Sequence, residues 1–213
     1  MRCREGGVYI EGLLEIPAHA MGIVLFVHGS GSSRRFPRNK AVAGVLHQAG
    51  LATLLMDLLT PEENYDYTMR FDVGRLATRL EAALDWVRKQ PETCGLARGL
   101  FGASTGTAAA LRLAAKRKQA VHAVVSRGGR PDLAGTDTLK KVRAPTLLIV
   151  GGNDPEVITL NEQAASLLAC EKEFAVVAGA THLFEERGAL AEVARLAARW
   201  FVRWLTVPPA TAQ

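Results

Sequence analysis

Residues 99–110 of this 213-residue chain have the sequence GLFGASTGTAAA, which gives the strongest indication of the fold. A short apolar run, residues 99–101, leads into the pattern G-x-S-x-G at residues 102–106 and then into an Ala- and Leu-rich segment. This order predicts a buried strand, a sharp turn and a helix. Such a turn projects the hydroxyl of Ser104 clear of the backbone, so Ser104 is a candidate nucleophile. The alternative is that Ser104 only caps the helix.

The same order of an apolar run followed by a helical pattern recurs along the chain. The predicted strands are residues 23–27, 51–56, 99–101, 121–125, 146–150 and 174–177, and the predicted helices are about 37–49, 71–89, 105–118 and 189–205. Residues 8–10 and 13–16 predict a hairpin that turns at Glu11-Gly12 and ends at Pro17. The longest irregular stretch, residues 58–70, is polar enough to line the edge of a site.

Strands that alternate with helices predict an α/β fold, with a mostly parallel, doubly wound sheet. We expect one domain over residues 1–206 and a frayed tail over 207–213, because no linker interrupts the middle of the chain. Only about twenty residues separate the strands ending at Val125 and starting at Thr146, so no lid domain is expected there. Ligands of such sheets bind outside the carboxyl ends of the strands.

The composition argues against several classes of function. The net charge is +5, but the basic residues are scattered and aromatic residues are only 6%, so nucleic-acid binding is not expected. A mild preference for anionic substrates is compatible with this charge. Three widely spaced cysteines, at positions 3, 94 and 170, make no metal-ligand pattern and predict reduced thiols in a cytoplasmic protein. No apolar run approaches the ~20 residues of a membrane helix.

Two further strand ends carry the partners that a serine nucleophile needs. Asp154 follows the strand ending at Val150, and His182 follows the strand ending at Val177. A serine hydroxyl needs a base such as His182 to accept its proton, and Asp154 would hold the imidazole in the right tautomer. Asp57 and Asp132 also follow strands, but each has a good alternative role in a turn or at a helix start.

The sequence HGSGSS at residues 28–33 follows the first long buried strand. We expect its Ser30 amide, together with the amide of Thr105, to form an oxyanion hole. The alternative is a phosphate-binding loop, but the sequence lacks the endings of the known glycine-rich phosphate loops. His28 is expected to brace the loop by hydrogen bonds, with contact to substrate as the other possibility.

Arginines at the same edge are candidates for binding an anionic substrate. Arg127 lies at the end of the strand containing Val125, and Arg34 lies in the loop after His28. A guanidinium at such a place can bind a substrate carboxylate or phosphate. The alternative for both residues is a bond to the carbonyls or carboxylates of the scaffold.

Taken together, residues 28–31, 102–106, 152–154 and 181–182 resemble the α/β-hydrolase superfamily, nearest the dienelactone hydrolase-like group. The resemblance extends from Ile23 to about Leu205 and implies the α/β-hydrolase fold and a Ser-Asp-His mechanism. Dienelactone hydrolases proper carry cysteine at the position of Ser104, so a general carboxylic ester or thioester is the expected substrate. Residues 126–133 and 180–185 also resemble small hydrolases that are sometimes fused to phosphoribosyltransferases.

The sequence therefore predicts a cytoplasmic serine hydrolase that acts on a small-molecule ester and needs neither a metal nor an organic cofactor. An acyltransferase or a thioesterase is the nearest alternative among enzymes. A non-catalytic module that binds an anionic ligand on the hydrolase scaffold is the alternative outside enzymes.

Overall fold

The computed structural model describes residues 1–206, so the tail predicted from Val207 lies outside the described residues. Eight strands form one sheet: β1 (Arg2–Glu5), β2 (Val8–Glu15), β3 (Gly22–Val27), β4 (Leu51–Asp57), β5 (Ala97–Ala103), β6 (Ala123–Arg127), β7 (Thr146–Gly151) and β8 (Lys172–Val177). The helices are α1 (Pro37–Gln48), α2 (Pro61–Tyr65), α3 (Tyr67–Arg70), α4 (Val73–Val87), α5 (Thr105–Lys116), α6 (Thr136–Leu139), α7 (Pro155–Leu167) and α8 (Ala189–Leu205).

The sheet is mostly parallel, as predicted. Its strand order is β1-β2-β4-β3-β5-β6-β7-β8, and only the pairs β1–β2 and β2–β4 are antiparallel. Helices α1 and α8 cover one face, while α4, α5 and α7 cover the other. Because both faces are covered, β3 and β7 are buried along their whole length, which explains their continuous apolar sequences. The doubly wound α/β fold is therefore confirmed.

The N-terminal hairpin differs from the prediction. Its loop is Gly6-Gly7, whose φ angles of +57° and +82° suit a two-residue turn between β1 and β2. β2 runs straight through Glu11-Gly12, where the sequence predicted a turn. Gly12 is required by packing, since a Cβ there would lie 2.9 Å from Leu54 Cδ1 on β4.

Three other segments refine the predicted pattern. Helix α7 was not predicted at all, and residues 58–70 contain the short helices α2 and α3 rather than an irregular loop. Between β6 and β7 the chain forms only a 3₁₀ turn at Pro131–Ala134 and the single turn α6, so the absence of an inserted lid domain is confirmed. Within residues 1–206, no helix has the length and apolarity needed to cross a membrane.

A partly buried ion pair fixes α2 to the body of the protein. Thr60 and Glu63 form a reciprocal capping box at the start of α2, and the Glu63 carboxylate also accepts hydrogen bonds from the guanidinium of Arg79 on α4. Arg79 is only 4% exposed and donates a further bond to the carbonyl of Leu58. The segment that follows β4 is therefore held in place at the carboxyl edge of the sheet.

This ion pair predicts a loss of stability in acid. The hydrogen bond from Arg79 lowers the pKa of Glu63 from 4.5 to about 2. Because the folded-state pKa is the lower one, the stabilisation is present above about pH 4.5 and is lost as the pH falls towards 2. The size of the effect is on the order of 3 kcal/mol. We expect Glu63→Gln to lower the free energy of unfolding at pH 7 and to differ little from wild type near pH 2.

Urea unfolding of both proteins between pH 2 and pH 7 measures this difference. Glu162→Gln, at an exposed position of α7, is the matched control and should follow the wild type throughout. A difference between Glu63→Gln and wild type that does not change with pH would contradict the assignment.

Candidate active site

Ser104 sits in a strained turn between β5 and α5. Its φ of +50° and ψ of −124° lie outside the regions that non-glycine residues normally adopt. Although Ser104 occupies the N-cap position of α5, its side chain makes no capping hydrogen bond. The capping alternative is therefore wrong, and the strain has to be explained by what the turn does with the hydroxyl.

The two glycines of the motif allow this turn to pack tightly. A Cβ on Gly102 would lie 2.6 Å from the Cα of Thr107 in α5, and a Cβ on Gly106 would clash with the backbone carbonyls of Val27 and His28. Only glycine can therefore occupy either position. The close packing brings the first turn of α5 directly against the end of β3.

The loop after β3 lies against the serine. A Cβ on Gly29 would be 2.9 Å from the Cβ of Ser104. The amide of Ser30 donates a hydrogen bond of 3.1 Å to the hydroxyl of Thr105, and no backbone or side-chain acceptor within the described chain binds the amide of Thr105. Both amides proposed for an oxyanion hole are thus beside Ser104, but that of Ser30 is engaged by a side chain.

Asp154 and His182 are brought together by the turns after β7 and β8. Asp154 Oδ2 lies 2.8 Å from Nδ1 of His182, and Asp154 makes no capping bond although it precedes α7. Asn153 ties the two turns, because its amide donates to the carbonyl of Ala180 and its side chain donates to the carbonyl of Gly179.

The bond to Asp154 defines the state of the imidazole. A carboxylate only accepts hydrogen bonds, so Nδ1 of His182 carries the proton of this bond. In the neutral ring Nε2 is then the acceptor. Asp154 is 16% exposed and His182 39% exposed, so the carboxylate is shielded while the imidazole is open to a reactant.

Ser104 and His182 each contact residues 127–130, a segment that we call the β6 loop. The amide of Ser104 donates to the carbonyl of Arg127 at 3.2 Å, and the amide of Arg130 donates to the carbonyl of Ser104 at 3.0 Å. A Cβ on Gly128 would lie 3.5 Å from Cε1 of His182. The β6 loop therefore contacts the serine backbone and the imidazole ring, although no hydrogen bond joins the Ser104 hydroxyl to His182 in this structure.

The two competing aspartates have other partners. The carboxylate of Asp57 binds the backbone amide and the guanidinium of Arg34. Asp132 forms a two-pronged pair with Arg130, with distances of 2.9 and 2.7 Å. Neither carboxylate hydrogen-bonds to His182, so Asp154 is the aspartate that the structure places beside the imidazole.

A cavity of about 600 Å³ opens at the same edge of the sheet, next to the loop after β3. Most of its lining residues are of polar or charged types: Tyr9, Glu11, His28, Ser32, Ser33, Arg34, Arg35, Asp57, Leu59, Thr60, Pro61, Glu62 and Asn64. Five residues of the segment 58–70, which was expected to line the edge of a site, line this cavity, whereas Ser104, Asp154 and His182 do not. The cavity begins at His28, which directly precedes the Gly29 that packs against Ser104.

His28 and Arg34 both line this cavity but are tied to the scaffold. Nδ1 of His28 is bonded to the carbonyl of Gly29 at 3.0 Å, and Nε2 lies 3.8 Å from Asp57. Burial lowers the pKa of His28, which favours the neutral ring. Arg34 is held by Asp57 and by Glu11, so its charge is already compensated. The bracing role predicted for His28 matches these contacts.

Some residues of the site were not identified from the sequence. Tyr9 and Glu11 reach the cavity because β2 pairs with β4, and Asn161 of α7 is fully buried and donates to the carbonyl of Gly129 in the β6 loop. Arg38 lies at the start of α1, near Arg127. The one available signal was the polar Asn161 on an otherwise apolar helix face. Among residues 1–206, no group of histidine, cysteine and acidic residues has the arrangement of a metal site.

Comparison with known proteins gives this geometry a context. The sequence model of the dienelactone hydrolase family matches residues 10–206. A curated Mycobacterium tuberculosis (strain H37Rv) protein named "Putative phosphoribosyl transferase" is 54% identical over 203 residues, which are 95% of this chain and 46% of the relative. The chain thus spans less than half the length of this relative.

Solved structures of hydrolases are also similar to this chain. A dienelactone hydrolase from Anabaena variabilis is 56% identical, with a TM-score of 0.92 over 96% of both chains. Est1E from Butyrivibrio proteoclasticus is only 15% identical but has a TM-score of 0.82 over 95% of this chain and 97% of its own. The second similarity is one of fold.

Proposed function

The chain belongs to the dienelactone hydrolase family. We therefore propose that it is a serine hydrolase that cleaves a small carboxylic ester or thioester through an acyl-enzyme on Ser104. The family supports a hydrolase, and the finer assignment rests on the site. The observation that carries it is the 2.8 Å bond between Asp154 and His182, at the sheet edge where the strained Ser104 turn also lies.

In the proposed reaction, Nε2 of His182 accepts the hydroxyl proton as Ser104 Oγ forms a bond to the substrate carbonyl carbon. The tetrahedral intermediate breaks its bond to the leaving oxygen or sulfur, which receives the proton from His182. A water molecule then attacks the acyl-enzyme while His182 takes its proton. The acid is released, and Ser104 recovers its hydrogen. Asp154 stabilises the imidazolium in both halves of the reaction.

The amides of Ser30 and Thr105 are the proposed donors to the oxyanion. The Thr105 amide is the first of helix α5 and has no partner in the described chain, so it is free to donate a hydrogen bond to the oxyanion. The Ser30 amide has to turn from the Thr105 hydroxyl or share its hydrogen between two acceptors. The helix dipole of α5 adds a favourable field at the same place.

The mycobacterial relative is named for phosphoribosyl transfer, but for this chain we propose hydrolysis. The side chains that follow the strand ends at this edge are a hydroxyl, an imidazole and a carboxylate, and this combination suits acyl transfer. The loop after β3 has neither of the glycine-rich endings typical of nucleotide phosphate loops.

The experiment that tests the proposal is turnover of 4-nitrophenyl acetate and butyrate by the purified protein, together with labelling by a fluorophosphonate. We expect steady ester hydrolysis and a single label on the peptide that contains Ser104. Acetyl and butyryl thioesters, and added alcohols as competing acceptors, separate an esterase from a thioesterase and an acyltransferase. A label on another residue, or no turnover of any acyl substrate, would refute the proposal.

A further inference from the structure

A second cavity, with a volume of about 520 Å³, is lined almost entirely by cationic side chains. Five of its seven lining residues carry a positive charge: Arg88, Arg98, Lys116, Arg117 and Lys118. The other two, Gln119 and Ala120, are uncharged, so within residues 1–206 no acidic side chain lines this cavity. We call it the basic pocket.

The fold brings together basic residues that are far apart in the sequence. Arg88 directly follows the end of α4, Lys116 is the last residue of α5, and Arg98 lies at the start of β5. The basic pocket is therefore at the amino edge of the parallel strands, whereas Ser104 follows the carboxyl end of β5. At a rise of about 3.3 Å per residue, Arg98 and Ser104 are about 20 Å apart along the strand. The pocket is thus separate from the candidate active site.

The charge of the basic pocket is only partly compensated. Glu81 of α4 pairs with Lys116 and Arg117. Asp85 pairs with Arg117 and, at 3.4 Å, with Arg88. These two carboxylates leave three of the five positive charges without compensation. The carboxyl ends of α4 and α5 add about one negative charge between them. An excess of about two positive charges therefore remains.

Arg98 is fixed in place without being neutralised. Its Nε donates to the carbonyl of Ala120 at 3.0 Å, and its Nη1 donates to the carbonyl of Cys94 at 3.4 Å. Its Nη2 has no acceptor in the described chain and is not one of the side-chain atoms shielded from solvent. Burial, together with the charge of Arg88, lowers the pKa of Arg98. Arg98 therefore offers a held, accessible N–H group beside a second cation.

These features favour one class of ligand. The volume of the basic pocket is in the range of small-molecule sites. Arginine guanidinium groups match the oxygens of phosphate, and two or more phosphate charges are needed to balance the excess of positive charge. No aromatic side chain lines the pocket in the described structure, so the bases of a nucleic acid would have no stacking partner there.

We propose that the basic pocket is a binding site for a small ligand that carries a diphosphate group. Arg98 is the central residue of this site, and Arg88 and Lys118 lie around the same cavity. The site is independent of ester hydrolysis, because it lies at the opposite edge of the sheet from Ser104.

Calorimetric titration with inorganic pyrophosphate at constant ionic strength tests the proposal. We expect the wild type and Ser104→Ala to bind pyrophosphate equally and orthophosphate more weakly. Arg98→Gln should weaken pyrophosphate binding roughly 10- to 100-fold, the range for loss of a charge-assisted hydrogen bond. Lys118→Glu should weaken it roughly 3- to 10-fold, because Lys118 is exposed and its charge is reversed.

The matched controls are Lys40→Gln and Lys40→Glu, which make the same changes in net charge at an exposed position of α1. Both should bind pyrophosphate as the wild type does. Equal weakening by Lys40→Glu and Lys118→Glu would show that only the overall charge matters, and would overturn the proposal. So would the absence of pyrophosphate binding at millimolar concentrations, or tighter binding of a single-stranded oligodeoxythymidylate than of pyrophosphate.

Circular dichroism checks that each variant folds. If Arg98→Gln does not fold, because its bonds to two carbonyls are lost, Lys118→Glu decides the matter. Lys118 is exposed and forms no ion pair with the described residues, so its replacement should leave the fold intact. Hydrolysis of 4-nitrophenyl acetate should be unchanged in Arg98→Gln and Lys118→Glu. A large loss of turnover in folded Lys118→Glu would contradict the separation of the two sites.

Discussion

Ser104→Ala is expected to lower kcat for 4-nitrophenyl ester hydrolysis by at least about 10⁴-fold, because the nucleophile and the covalent intermediate are both lost. The change should not unfold the protein. The Ser104 side chain makes no capping bond that alanine would remove. The close packing at Gly102 and Gly106 is unchanged by alanine at position 104. Initial rates at saturating substrate and thermal unfolding of the same sample measure the two properties.

The matched control for this variant is Ser166→Ala, a serine exposed on α7 far along the chain from the turn. It should retain wild-type turnover and fluorophosphonate labelling. A Ser104→Ala protein that is folded and keeps more than about a tenth of the wild-type rate would show that another residue attacks the substrate.

Asp154→Asn is expected to reduce kcat by about 10³- to 10⁴-fold with the fold intact. The amide of asparagine can donate to Nδ1 and so favour the wrong tautomer of His182, and it cannot stabilise the imidazolium. Because Asp154 forms the 2.8 Å bond to His182, the loss of this carboxylate should lower kcat. Steady-state kinetics at pH 7 measure the effect.

Two comparisons sharpen this experiment. Asp137→Asn changes an exposed aspartate in the first turn of α6 and should behave as wild type. The double variant Ser104→Ala/Asp154→Asn should be no slower than Ser104→Ala, because groups that act as one unit are strongly non-additive. Additive losses would mean that Asp154 acts independently of the serine.

The parts of the site that the sequence revealed are those with strong local signals. The serine turn combines a buried strand, two obligatory glycines and a helix within a dozen residues, and each of these features is a property of neighbouring residues. Asp154 and His182 each lie just after a predicted strand, which is also a local signal. Because the carboxyl ends of parallel strands lie at the same edge of a sheet, both residues could be placed at that edge.

The errors arose where distant contacts override the local pattern. Glu11-Gly12 has the composition of a turn, but the close approach of Leu54 from β4 requires glycine inside a strand. Helix α7 was missed because its buried face includes the polar Asn161, which is needed to hold the carbonyl of Gly129. Arg34 could not be assigned to the scaffold before β2 and β4 had placed Glu11 and Asp57 around it. The proximity of Arg38 and Arg127 likewise depends on how α1 packs on the sheet.

The β6 loop limits how this protein can change during evolution. Its residues at both ends exchange backbone hydrogen bonds with Ser104, and its middle supports the imidazole ring. An insertion between Arg127 and Arg130 would therefore displace the reacting groups themselves. New sequence that enlarges or reshapes the entrance can be accepted more easily from the exposed Gly135 onward, so growth of the chain and change in its chemistry are confined to separate stretches.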